Sequence, residues 1–354
     1  MVSVACDTVA SGLAGLVVTY VRVALQQGRS RVHRIPGIPS LRRDLRRRFV
    51  PRDPVAREGH WGVASALSGG SSAEPDACTG LWSDACDLGD LARLHTRFDA
   101  YRKTLKLAAG WSDRWTATWR FGRTPVTCSV RNLAEVEAAR SRPVRRFTWR
   151  TGQWHRPGLE YLVSTDRHHG FESFEEELLL LMADFVGDLE EALAQPFRLQ
   201  FLTADGGRVE HTPDFLLLTG SGPWLLDVRP AGRIRPEDEV KFAASAEAAL
   251  AVGWNYSVVT GWRRRVVRIV DALSAGRREL TDQLGLQDQL LRAAASGPLA
   301  FGELVEQCSY PAIARAHALH LLWHRNLGID MSAPLTDTSL VRLAPDNHLR
   351  GGER

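Results

Sequence analysis

The chain has 354 residues, enough for two or three domains of ordinary size. Its apolar share of 44% and charged share of 24% exclude collagen-like, mucin-like and wholly disordered chains. The net charge is only +4 and rests almost wholly on arginine, since the lysines are Lys103, Lys106 and Lys241 alone. Cys6, Cys78, Cys86, Cys128 and Cys308 lack CxxC spacing, so no disulfide framework or zinc knuckle is readable and a reducing compartment is expected. The apolar stretch from Leu13 to Leu25 is interrupted by Arg22 and is too short to cross a bilayer. Asp7 stands where a secretion signal would be basic, and no small-residue cleavage site follows. A cytoplasmic protein with no membrane partner is expected.

Residues 1–90 read as a basic, loosely organised region. Arg42, Arg43, Arg46, Arg47 and Arg48 surround Leu41, Leu45 and Phe49, an amphipathic pattern if helical. Such a cluster neutralises phosphates or stands as a solvated tail. The Gly, Ser and Pro of 69–80 suit a linker. Residues 91–150 form a mixed segment. Trp111, Trp115 and Trp119 recur at helical spacing and read as core, not as a platform for stacking bases. Phe147 and Trp149 alternate with basic residues as in an edge strand.

Residues 151–275 carry the informative pattern. Ser173 caps a helix that buries Leu178, Leu179, Leu181, Met182 and Phe185 and ends near Gly187. Pro196 breaks the chain before a strand at Phe197 to Phe201, and Asp205-Gly206-Gly207 turns it. One strand is expected from Val209 to Leu218 and another from Trp224 to Arg229, stopped by Pro230. An Ala-rich helix from Pro236 to Val252 and a strand from Tyr256 to Thr260 follow. The order predicts an α/β fold, a small mixed sheet flanked by helices. Residues 280–345 read as three helices (284–295, 302–307 and 311–325) with a small hairpin at Ile329 and Leu340 to Leu343. That succession suggests a winged-helix-like domain.

The carboxylates fall in a pattern with chemical meaning. Asp214 sits near the start of a strand. Asp227 and Arg229 alternate on the neighbouring strand and point the same way. The turn at 220–223 can bring Asp214 beside them. Glu172 and Glu176 share one helix face. Acids facing one crevice stay ionised when a cation sits between them, and oxygen donors without cysteine favour Mg²⁺ or Mn²⁺. Such an ion suits phosphodiester hydrolysis. His317, His320 and His324 lie at helical spacing but lack a carboxylate or Cys partner, so they read as an ordinary helix face. His168 and His169 read as a loop pair. No Walker A loop, GxSxG or GxGxxG stands in its required setting, so neither ATP nor a nicotinamide is expected.

The succession Ser173-Phe174-Glu175-Glu176, Gln195-Pro196-Phe197, His211-Thr212-Pro213-Asp214-Phe215 and Asp227-Val228-Arg229-Pro230 resembles the TnsA endonucleases of the PD-(D/E)xK nuclease superfamily. These are the end-cutting subunits of heteromeric transposases. The likeness spans roughly residues 145 to 345. It implies a restriction-endonuclease-like core and a winged-helix-like C-terminal domain. It further implies a Mg²⁺- or Mn²⁺-dependent DNA endonuclease acting at transposon ends, with a DDE transposase and an AAA+ regulator as partners. Carried over residue by residue, Glu176, Asp214 and Asp227 become the metal-binding catalytic acids. The Val228 carbonyl becomes a further ligand, and Gln195 a supporting residue. Arg229 stands where the family has lysine; it keeps the charge but cannot deprotonate. Lys241 is either a displaced counterpart or an ordinary exposed lysine. The alternatives are a nuclease-fold adaptor with impaired catalysis and a free-standing restriction- or repair-like nuclease.

Overall fold

A computed structural model describes residues 80–145 and 157–345. The basic cluster at 42–48, the linker and the expected edge strand at Phe147 and Trp149 lie outside the described residues.

The first described elements are a single-turn helix α1 (Leu88–Leu91), strand β1 (Ala92–His95), a single-turn helix α2 (Trp111–Arg114) and the hairpin β2 (Thr116–Phe121) and β3 (Thr124–Ser129). A second hairpin, β4 (Gly158–Leu162) and β5 (Arg167–Phe171), leads into helix α3 (Phe174–Val186). Then come β6 (Leu189–Ala194), β7 (Phe197–Leu202), β8 (Arg208–His211), β9 (Phe215–Thr219) and β10 (Gly222–Val228). Helix α4 (Pro236–Leu250), β11 (Asn255–Trp262) and helix α5 (Arg264–Ser274) follow. The last part holds α6 (Leu286–Ala295), β12 (Leu299–Ala300), α7 (Phe301–Glu306), α8 (Pro311–Trp323), β13 (Leu327–Ile329) and β14 (Leu340–Leu343).

The result is a mixed α/β fold. Its central sheet runs β1-β11-β10-β9-β6, with β10 and β11 parallel and the other neighbours antiparallel. A second, antiparallel sheet runs β3-β2-β7-β8. On one face of the central sheet, Leu179, Met182 and Phe185 of α3 and Val266 and Val270 of α5 pack with Phe215, Leu226 and Val259. On the other face lies α4. Its Ala243, Ala244, Ala248 and Ala249 allow close approach to Leu216 and Leu225 and to Trp115, Trp119 and Phe197 of the second sheet. Strands from within residues 91–150 therefore join both sheets.

Local chemistry sets the helix ends. The Ser173 hydroxyl accepts from Glu176 N, and Glu175, Glu176 and Glu177 complement the dipole in the first turn of α3. Gly187 ends that helix at φ 84°, a conformation open to glycine. Pro236 occupies the first turn of α4, where its missing N–H is harmless.

Three expectations are corrected. The stretch from Val209 to Leu218 is two strands in two sheets, β8 and β9, because Pro213 cannot donate to a ladder and the chain leaves one sheet there for the other. β6 has no counterpart among the expected strands; its Glu190-Glu191 pair lacks strand character, and it is held as an edge by pairing with β9. The tryptophans do not share a helix. Trp115 and Trp119 flank and occupy β2, are fully buried, and contact Phe201 and Phe197. A spacing of four also returns to the same face of a strand, so the core reading holds with a different element.

In the C-terminal part, α6, α7 and α8 precede a small antiparallel sheet, β12-β14-β13. Among the described residues no helix is long and apolar enough to cross a membrane. The chain before α1 is tied to that sheet. Ser83 N donates to Ile329 O at 2.9 Å, and the buried Asp84 carboxylate pairs with Arg342 at 3.0 Å. The Arg342 guanidinium lies 4.1 Å above the Trp82 ring. A methyl group at Gly328 would collide with the Asp84 carboxylate. Gly328→Ala is therefore expected to cost about 1–3 kcal/mol. Urea unfolding should show a lower midpoint with an unchanged slope, and an unchanged midpoint would contradict this packing.

Candidate active site

β9 and β10 are antiparallel neighbours with Leu226 opposite Phe215. That register sets Asp214, just before β9, beside Asp227 near the end of β10. Backbone bonds fix the junction: Asp214 N donates to Leu226 O at 3.1 Å, and Gln195 N donates to Asp214 O at 2.7 Å. The N-terminal turn of α3 brings Glu176 to the same place. Glu176, Asp214, Asp227, Val228 and Arg229 all line one cleft of about 610 Å³. Arg145, Arg198, Arg233 and Lys241 also line it.

The acids feel one another. Asp214 is half-buried, with its pKa pushed well above the carboxylate range by desolvation first and then by the charges of Asp227 and Glu176. One Asp214 oxygen accepts from Val228 N at 2.7 Å, which partly opposes that rise. Desolvation also raises Glu176, with the Glu172 charge adding to it. Asp227 is 2% exposed, and both its oxygens are taken. His211 Nε2 donates to one at 2.8 Å and the Tyr256 hydroxyl donates to the other at 2.7 Å. Burial and the Asp227 charge push the Tyr256 phenol well above its usual pKa, so it remains a donor.

The Glu176 carboxylate has local duties too. It accepts from Glu172 N at 2.8 Å and from the Ser173 hydroxyl at 3.1 Å. Ser-x-x-Glu is thus also a variant of the helix capping box, with the glutamate reaching back one residue further than usual. Glu172 itself pairs with Arg145 at 3.2 Å. Gln195, 2% exposed at φ 47°, joins these pieces. Its side-chain oxygen accepts from Arg145 Nε at 3.4 Å, and its backbone holds Asp214.

Arg229 shares the cleft but is held by Asp238 of α4 at 3.2 Å. Lys241, one turn along α4, stands 3.8 Å from the same carboxylate. It is therefore a cleft residue, not an isolated surface lysine. The donor set suits a hard divalent ion in kind: the carboxylate oxygens of Glu176, Asp214 and Asp227, with Asp214 raised by burial first and by its two acidic neighbours second. It is not a ready cage. Among the described residues, no group of three His, Cys, Asp or Glu side chains stands in metal-holding geometry.

The other candidates have structural partners. His169 lies in β5, not in a loop, bonded to Thr165 at 2.7 Å and to Ala192 O at 2.8 Å. His317 is buried against Gln287 and Asp282. His320 and His324 donate to the carbonyls of Gly276 and Arg277 and anchor α8. Sequence reasoning assigns no role to His211, Tyr256, Arg145 or Asp238. His211 carries a faint signal, three residues before Asp214 at the end of a strand; Tyr256 carries none.

No protein-family model and no curated protein matches the chain.

Folded Asp214 keeps its proton to higher pH than unfolded Asp214 does, so stability is present in acid and declines as pH rises through the raised value. Asp214→Asn removes that decline and keeps an acceptor for Val228 N. Thermal melts should place the variant above the parent near neutrality, with the gap closing as pH falls into the ordinary carboxylate range; a pH-independent gap would refute the upward shift of Asp214. Tyr256→Phe leaves a buried Asp227 oxygen without its donor and should cost about 1–3 kcal/mol in urea unfolding.

Proposed function

We propose that the protein is a metal-dependent DNA endonuclease subunit of the TnsA type, hydrolysing a phosphodiester at transposon ends. The single observation that carries this reading is the convergence of Glu176, Asp214 and Asp227 with Arg229 on one cleft, from one helix and two neighbouring strands. A divalent ion held by Glu176, Asp214 and Asp227 would polarise a phosphoryl oxygen and lower the pKa of a bound water. The chain's own residues do the rest. His211 and Tyr256 fix the Asp227 carboxylate, and Val228 N fixes Asp214. Arg145, Arg198 and Arg229 present guanidinium groups to a phosphate entering the cleft.

We read the central sheet, with α3 and α5 on one face and α4 on the other, as a restriction-endonuclease-like core. The three helices and small sheet of residues 280–345 we read as winged-helix-like. The DDE transposase and the AAA+ regulator belong to the resemblance. The modest net charge of +4 fits a subunit that relies on such partners for tight DNA binding.

One observation favours a second reading, a nuclease-fold adaptor without catalysis. Both oxygens of Asp227 and both of Glu176 are engaged, and Arg229 is tethered to Asp238. Nicking of supercoiled plasmid with Mg²⁺ or Mn²⁺ separates the two. The endonuclease reading expects nicking that Asp214→Ala reduces to background and that Arg229→Lys increases. Absence of nicking, alone and with the transposase, together with no effect of Asp214→Ala, would leave only the adaptor.

A further inference from the structure

A second basic surface lies outside the acidic cleft. Helix α5 carries Arg264, Arg265 and Arg268, all exposed, on one stripe of its surface. They line a groove of about 490 Å³ whose opposite wall is Pro334 and Leu335, in the segment between β13 and β14. Among the described residues, no acidic side chain lines this groove. Arg265 donates to Ser332 O and closes one end. Arg264 and Arg268 make no hydrogen bond or ion pair among the described residues. Asp271, one turn beyond Arg268, is exposed and does not line the groove.

Helix electrostatics add to this. The first turn of α5 has no acidic residue, and its N-cap, Arg263, makes no side-chain capping bond. Cations here sit at the positive end of the dipole, where they disfavour the helix. α3 and α4 carry three acids each in the same position. An anion at α5 relieves both the dipole and the mutual repulsion of the guanidinium groups. Its place in the fold adds continuity. α5 begins two residues after β11, the parallel neighbour of β10, and so starts at the end of the sheet where Asp227 and Arg229 stand.

We infer that the Arg264–Arg265–Arg268 groove is a phosphodiester-backbone site, gripping duplex DNA away from the cleft without reading its sequence. For the identity of the polyanion, the inference rests on the nuclease reading. Guanidinium groups pair bidentately with phosphate oxygens, and the apolar wall of Pro334 and Leu335 leaves Arg264 and Arg268 free to turn to that ligand while Arg265 is held at one end.

The test is duplex binding by the full chain, measured by fluorescence anisotropy of a labelled DNA at several salt concentrations. The Arg264→Ala/Arg268→Ala double variant should bind several-fold more weakly at low salt. Its slope of log affinity against log salt should shrink by about 0.9 for each phosphate no longer neutralised. The Arg264→Lys/Arg268→Lys variant should keep most of the slope. Affinity and slope unchanged in the alanine variant would overturn the inference and leave the groove to an acidic protein partner. An equal loss in both variants would also overturn it, as damage to packing. Plasmid nicking by Asp214→Ala reports on the cleft independently. If that variant nicks like the parent while the alanine double variant loses DNA and the lysine double variant keeps it, the nuclease reading fails and the groove stands.

Discussion

Holding neighbouring carboxylates together out of water is the constraint on which this cleft turns. Asp214 and Asp227 lie side by side because Leu226 faces Phe215 across an antiparallel pair. The buried Leu216, Leu225 and Leu226 hold that register. Leu226 packs on the α3 side and Leu216 and Leu225 on the α4 side, so both faces of this pair are filled and a slip of one residue would exchange side chains fitted to different neighbours. Hydrophobic patterning therefore holds two like charges together that would otherwise separate. The charges are quieted locally: Asp227 by His211 and Tyr256, Asp214 by Val228 N, and Glu176 by the helix end it caps. What remains is a cleft whose central acid is harder to ionise than an ordinary carboxylate, through burial first and the charges of Asp227 and Glu176 second.

Pro213 makes this arrangement possible. It ends the pairing of β8 in one sheet and lets the chain enter β9 in the other, so His211 and Asp214 belong to different sheets within one short segment. His211 then reaches Asp227 at 2.8 Å from the side. Gln195 performs the matching service on the other flank. It leads from β6 into β7, again from one sheet into the other, with a left-handed backbone that few non-glycine residues adopt. Both of these crossings touch Asp214 or its neighbour. Backbone conformation near a charge cluster is thus set by topology as much as by the cluster itself.

Much of this was legible in the sequence, for identifiable reasons. The span and cap of α3 follow from Ser173 and Gly187, the start of α4 from Pro236, and the strand at Gly222–Val228 from its position between a turn and Pro230. Asp214, Asp227 and Arg229 can be singled out by alternation on neighbouring strands, whereas helical spacing leaves Glu172 and Glu176 equal and only the Ser-x-x-Glu of the resemblance separates them. The partners of Asp227 cannot be singled out. Tyr256 reaches it across a parallel pairing, and that contact has no local signature. β6 is hidden because its pattern is that of an edge strand with charged residues, fixed only by β9. The dual role of Glu176 is hidden for the opposite reason: one short motif serves helix capping and the cleft equally well.

Arg229, which stands where the resembled nucleases carry lysine, also has a physical setting. Asp238, in the first turn of α4, holds the Arg229 guanidinium at 3.2 Å and faces Lys241 at 3.8 Å. One carboxylate thus restrains two cations on the same wall. A guanidinium so held is a fixed charge with oriented donors, suited to gripping phosphate oxygens but not to moving a proton. Lys241 is the single ammonium group lining this cleft among the described residues. Under the proposed reading, the work of one lysine would divide between two residues: Arg229 would supply geometry and permanent charge, and amine chemistry in the cleft would fall to Lys241. Asp238 decides how far either can lean toward Asp214, which makes the first turn of α4 as much a part of this cleft as the strands that carry its acids.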